Sequence, residues 1–150
     1  MDITLKFGSW TIEIDHKKTS EYFNHDIPDD CKCTYCQNYR LHSAFMSNQL
    51  MDFFRELGIE PSKEGEFMEF GPNEKGDIHY AGFYHIKGRI LEGPRKITEE
   101  WNKAELIKID NFEFGFSSED IASVPRGFPE PIIQLHFETF IPWRHEEPYK

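Results

Sequence analysis

The stretch Ile3-Thr4-Leu5-Lys6-Phe7-Gly8-Ser9-Trp10-Thr11-Ile12-Glu13-Ile14 alternates apolar and polar residues on either side of Gly8-Ser9. A period of two places every second side chain on one face of a strand. A glycine leading a two-residue loop between such runs is the mark of a type II′ hairpin. Register follows: Phe7 faces Trp10, Leu5 faces Ile12 and Ile3 faces Ile14, so the apolar side chains fall on one side and bury together. The chain therefore begins as an antiparallel sheet with a buried face.

Further strands follow downstream. Glu66-Phe67-Met68-Glu69-Phe70 reads as one, and residues 71–76, rich in turn formers, lead back into 77–90. Within 77–90, Ile78, Tyr80, Tyr84, Ile86 and Ile90 share one parity, and His79, Phe83, His85, Lys87 and Arg89 share the other. Those two sets describe a buried face and a more polar one, with Gly82 and Gly88 marking close packing or bulges. In 105–116 the apolar parity switches from Ile107 and Ile109 to Phe112, Phe114 and Phe116, which a tight turn or a bulge at Asp110-Asn111 produces. Residues 117–131 carry Pro125, Gly127, Pro129 and Pro131 and read as a long connection before a last strand over 132–141.

One segment has helical spacing. Met46, Leu50, Phe53, Phe54 and Leu57 recur on one stripe of 43–57, Gly58 stands where the helix should stop, and Pro61 follows. Residues 16–40 hold turn formers and little periodicity, and read as an irregular excursion. The sum is an α+β fold of about seven or eight mainly antiparallel strands. It is expected as a curved sheet or sandwich-like half-barrel with one main helix on it, in a single domain spanning residues 1–150. The stripe on that helix is the face laid on the sheet rather than a cofactor box.

Composition narrows the function classes. With 27 acidic and 17 basic residues the net charge is −10, which argues against the Lys/Arg-rich stripe of a nucleic-acid surface. Acidity fits a basic protein partner, a small cationic ligand, or solubility alone. The sequence shows neither a secretory leader nor an apolar run of membrane-spanning length, and a cytoplasmic protein is expected. Oligomeric state is not legible in it. Fourteen phenylalanines among 150 residues suit a β-rich core.

The sharpest chemical signal is Asp30-Cys31-Lys32-Cys33-Thr34-Tyr35-Cys36, which contains every cysteine of the chain, with His25 and His42 outside its two ends. Thiolates this close repel unless a cation neutralises them, and Cys33-x-x-Cys36 is the usual reach for two sulfurs on one ion. The reading is a zinc site of Cys31, Cys33 and Cys36, completed by His25, His42 or the more remote His16, or left open to water. A disulfide would strand one thiol and is disfavoured in a reducing compartment. Three-Cys, one-His iron–sulfur ligation lacks the usual four-Cys spacing. Three ordinary thiols in a loop are the bland alternative.

The run 30–39, the helix after it, the segment 57–63 and the late Ile141-Pro142-Trp143 together resemble a group of small bacterial proteins of unassigned function. That resemblance implies a deliberate cysteine run and no particular activity.

The familiar hydrolase, phosphate-loop, dinucleotide and zinc-protease motifs are absent. The residual constellation is Gln134, His136 and Glu138 on one parity of the last strand, with His79 and His85 from the polar face of 77–90. Lining one concavity, they would offer a general base, a second carboxylate and an amide, or a His/Glu metal site. The competing account is a solvated sheet face. Two expectations result: a zinc-stabilised interaction or binding module, or a ligand-binding or hydrolase-like protein using His79, His85, His136 and Glu138.

Overall fold

A computed structural model describes residues 2–24, 33–63, 66–97, 101, 106–119 and 121–149. The opening hairpin, β1 (Ile3–Phe7) and β2 (Trp10–Ile14), has the register its alternation dictates, with Ile3 opposite Ile14 and Phe7 opposite Trp10. Gly8 takes φ 53°, as the first position of a II′ turn requires. Burial within the pair is uneven. Trp10, Ile12 and Ile14 are sealed in the core, while Ile3 on the outer strand is exposed, because β1 ends the sheet.

The remaining strands are β3 (Glu66–Pro72), β4 (Ile78–Glu92), β5 (Ile107–Ile109), β6 (Phe112–Ser117) and β7 (Ile132–Ile141). They extend the hairpin into one open seven-stranded antiparallel sheet of order β1-β2-β4-β7-β6-β5. β4 is long enough to have two neighbours on one side: β3 beside its first half and β2 beside its second. The parity switch at Asp110-Asn111 is the β5–β6 hairpin, with Asp110 in the left-handed region at φ 54°. Gly88 is a close-packing position, since a Cβ there would lie 2.4 Å from the Glu13 carbonyl oxygen on β2.

Among the described residues three helices pack on the sheet, where one main helix was expected. The apolar stripe belongs to α3 (Asn48–Leu57), capped by the Ser47 side chain accepting from the Leu50 N–H at 3.1 Å and closed by Gly58 at φ 83°. Leu50, Phe53, Phe54 and Leu57 are buried, and Phe53 packs on Phe7 and Phe114 with ring centroids 5.2 and 4.6 Å apart. Met46 precedes the Ser47 cap and packs against the core from outside the helix.

Residues 16–40 are not an irregular excursion throughout. α1 (His16–Phe23) is capped by Asp15, whose carboxylate accepts the Lys18 N–H at 3.0 Å, and buries Thr19 and Phe23 one turn apart. α2 (Thr34–Ser43) starts at Cys33 and buries Cys36, Asn38, Tyr39 and His42. Two of those are polar, so no apolar stripe marked the helix. Residues 25–32 lie outside the described ones.

The sheet's second face carries the other parity of its strands and is partly roofed. Phe128 packs 5.9 Å from the His85 ring, and Ala122 meets the Gln134 side chain there. Ile97 and Leu106 lie over Gly115, where a Cβ would be 2.6 Å from Ile97. No helix among the described residues is long and apolar enough to cross a membrane.

Candidate functional site

Two constellations carry chemistry, one on each side of the sheet. The first is at the start of α2. Cys33 occupies the cap position and is exposed, Cys36 sits in the first turn and is buried, and their sulfurs are 3.2 Å apart without a disulfide. That separation is too long for an S–S bond of about 2.05 Å. It is a thiol–thiol hydrogen-bond contact, shorter than the ~3.8 Å that separates two sulfurs on one tetrahedral zinc with Zn–S near 2.3 Å. Cys33 and Cys36 thus face one another across the first turn of α2.

The histidines expected beside them are placed differently. His42 lies six residues beyond Cys36 on the same helix, about 9 Å along its axis. Its Nδ1 accepts from the Arg144 guanidinium at 3.4 Å. Burial, with Arg144 adding to it, pulls His42 down to about 4, so the imidazole is neutral and committed to Arg144. His42 therefore does not join the thiols. His16 is also elsewhere, bonded through Nε2 to the Arg55 carbonyl at 2.9 Å. Cys31 and His25 lie outside the described residues, and among those described no three His, Cys, Asp or Glu side chains gather closely enough to hold an ion.

The thiol end of α2 is tied to the sheet through polar contacts. The buried Asn38 donates from Nδ2 to the Tyr80 hydroxyl and the Pro142 carbonyl, both at 3.3 Å, and its Oδ1 accepts the N–H groups of Arg144 and His145. Tyr80 in turn donates to the Tyr35 carbonyl at 2.9 Å. Burial pushes the Tyr80 hydroxyl above its ordinary range, against the Asn38 hydrogen bond, with Glu69, Cys36 and Cys33 adding to the rise. This hub was not visible in the sequence, because an asparagine on a helix ordinarily signals a solvated position.

The second constellation lies on the outer face of β4 and β7. Register sets His79 opposite Phe140, Ala81 opposite Glu138, Phe83 opposite His136 and His85 opposite Gln134, so all the expected residues share that face. They do not share one cavity. A groove of about 450 Å³ takes in Met68, Phe83, Trp101, Gln134, His136 and Glu138. His79 stands beside it, stacked on Phe140 at 4.5 Å and 3.4 Å from the Glu138 carboxylate. His85 is sealed beneath the 121–131 segment, its Nε2 donating to the Ala122 carbonyl at 3.1 Å and its Nδ1 buried without a partner among the described residues.

Protonation states follow from these contacts. Gln134 Oε1 accepts the Ala122 N–H at 2.9 Å, so its amide nitrogen faces His136 Nε2 at 3.3 Å as the donor. His136 is then neutral, with its proton on Nδ1. Burial lowers it to about 4, with His85 contributing, and burial also lowers His85 itself. An imidazole held that low is a weak base at neutral pH, since a general base works best near the operating pH. Trp101 and Met68, which no motif singled out, supply the groove's apolar walls. The only signal for them was the edge-strand pattern that exposes Met68.

No family model, curated protein or solved structure matches the chain.

Proposed function

We propose that this chain is a small metal-stabilised binding module, working in the cytoplasm, in which zinc held by Cys31, Cys33 and Cys36 fixes the start of α2 against the sheet. The observation that carries the reading is the 3.2 Å approach of the Cys33 and Cys36 sulfurs at the helix start, with a third cysteine two residues upstream. The positive end of the helix dipole favours thiolates there, and deprotonated thiols are the form a metal binds. α2 has no side-chain cap, and its buried residues mix two polar groups, Asn38 and His42, with Cys36 and Tyr39. Tyr39 anchors its middle in the core, stacked on Phe137, but its first turn has no cap to hold it, and an ion ligated there would supply energy against the cost of ordering that end.

A role as a binding protein suits the second face better than hydrolysis does. The groove has apolar walls and few polar groups, the usual make-up of a ligand site, while its histidine is held neutral and weakly basic.

Cobalt substitution tests the metal. Protein prepared without zinc and titrated with Co²⁺ should develop intense sulfur-to-metal charge-transfer absorption saturating at one equivalent, and Cys33→Ser should weaken it. Absence of charge-transfer absorption in the parent protein would leave a dithiol, with Cys33 exposed and Cys36 buried as in a redox pair, as the better account.

A further inference from the structure

We infer that the groove on the outer face is a site for a small organic cation, an ammonium or guanidinium group carried on an aromatic or aliphatic body. The inference concerns the face opposite the thiols, because Tyr80 and Ala81 alternate across β4, so it stands or falls independently of the metal.

Size comes first. About 450 Å³ is within the range of small-molecule sites, and the walls of Met68, Phe83 and Trp101 suit an apolar body. Met68 is half exposed on an edge strand, so the groove is open to solvent from the β3 side.

Charge then selects the head group. Among the described lining residues there is no Lys or Arg, and the one charged group is Glu138. Glu113 on β6 lies directly opposite Glu138 on β7, and side chains so paired project from the same face. Like charges directly across an antiparallel pair repel. Lys108, directly across from Glu113 on the edge strand β5, shares that face and is the counter-charge nearest Glu113 in register, but it does not line the groove, where Glu138 has no lining Lys or Arg beside it. Glu66 adds a third carboxylate to the face, opposite Phe83 on β3. A cation seated by Glu138 relieves this repulsion, whereas an anion would meet the Glu138 carboxylate with no lining Lys or Arg among the described residues to offset it. His136, neutral and bonded to Gln134, adds no positive charge to oppose a cation. Apolar walls beside a carboxylate, with no three metal-ligating side chains gathered there among the described residues, select an organic cation over a metal ion.

Three near-isosteric probes separate charge from shape: 2-phenylethylamine, 2-phenylethanol and phenylacetate. Calorimetric titration of the full chain should show the amine binding about tenfold or more tightly than the alcohol, with the acid not binding, as expected for one charge-assisted contact. Amide shifts on adding the amine should centre on Ala81, Gly82, His136 and Glu138. Glu138→Gln should reduce amine affinity to that of the alcohol, and Ala81→Leu, which fills the groove, should abolish both while each variant keeps the parent's circular dichroism. Failure of the amine to bind at millimolar concentration, equal binding of the three probes, or undiminished amine binding by Glu138→Gln would overturn the inference.

Discussion

Asn38 on α2 and Tyr80 at the centre of the sheet are joined by a buried hydrogen bond of 3.3 Å, two residues beyond Cys36. One side chain thereby couples the thiol-bearing helix, the long central strand and the segment after β7, since Asn38 Oδ1 also holds the N–H groups of Arg144 and His145. Asn38→Ala removes the acceptor of those two N–H groups and the donor to the Pro142 carbonyl, while the Tyr80 hydroxyl keeps its bond to the Tyr35 carbonyl. The expected cost is about 2–4 kcal/mol, read from urea unfolding, with amides 144 and 145 losing hydrogen-exchange protection before the sheet does.

His42 makes stability depend on pH. Its folded pKa of about 4 lies below the 6.5 of an unhindered imidazole, so between these values the unfolded chain binds the extra proton. Stability from this group is full above pH 6.5 and is lost as pH falls toward 4, at no more than about 1.4 kcal/mol per pH unit. The depressed carboxylate of Asp15, held down chiefly by its bond to the Lys18 N–H, acts in a lower window, below the unfolded carboxylate's pKa. Denaturation curves at pH 5 and pH 7 should differ less for His42→Gln than for the parent. An identical difference would show that His42 does not carry the effect.

Gly88 sets the distance between β4 and β2. An added methyl would sit 2.4 Å from the Glu13 carbonyl and 3.0 Å from Ile14, both on the neighbouring strand. Gly88→Ala should therefore destabilise by about 1–3 kcal/mol, and the amide shifts should spread along Trp10–Ile14. Gly76, whose Cβ would meet nothing within 4 Å, is a control for crowding, although its φ of 83° adds backbone strain of its own.

The parts of the fold legible in the sequence are those where one physical signal acts alone. The first hairpin was readable to the residue because a II′ loop fixes register and the alternation fixes the face. The stripe of α3 was readable because Leu50, Phe53, Phe54 and Leu57 bury on one side, but its start was set too early: Ser47 caps the helix inside the apolar pattern, and Met46 packs from beyond it. α1 and α2 were hidden because their few buried apolar residues, Phe23 and then Cys36 and Tyr39, make no stripe, and the polar Thr19, Asn38 and His42 that bury beside them are not counted by a hydrophobic pattern. Thr19, for example, accepts the Lys87 N–H and donates to the Asp15 carbonyl. At the site, register brought His79, His85, His136 and Glu138 to one face as their parity required. Parity says nothing of roofs, so the burial of His85 under Ala122 and the placing of Trp101 over the groove were beyond it.

The metal account makes a demand on stability. Cys36→Ser should lower unfolding free energy by several kcal/mol, since losing one ligand forfeits most of what the ion contributes. Chelator should destabilise the parent to the level of the variant and leave the variant unchanged. Equal melting of parent and variant, with and without chelator, would remove the structural role.

The most direct measurement is the metal content of protein purified without added zinc or chelator. The account requires close to one zinc per chain, falling to a small fraction in Cys33→Ser and Cys36→Ser preparations that remain folded enough to purify. A parent protein with no stoichiometric zinc, and with Cys31, Cys33 and Cys36 all reacting at once with a thiol reagent in the native state, would contradict it.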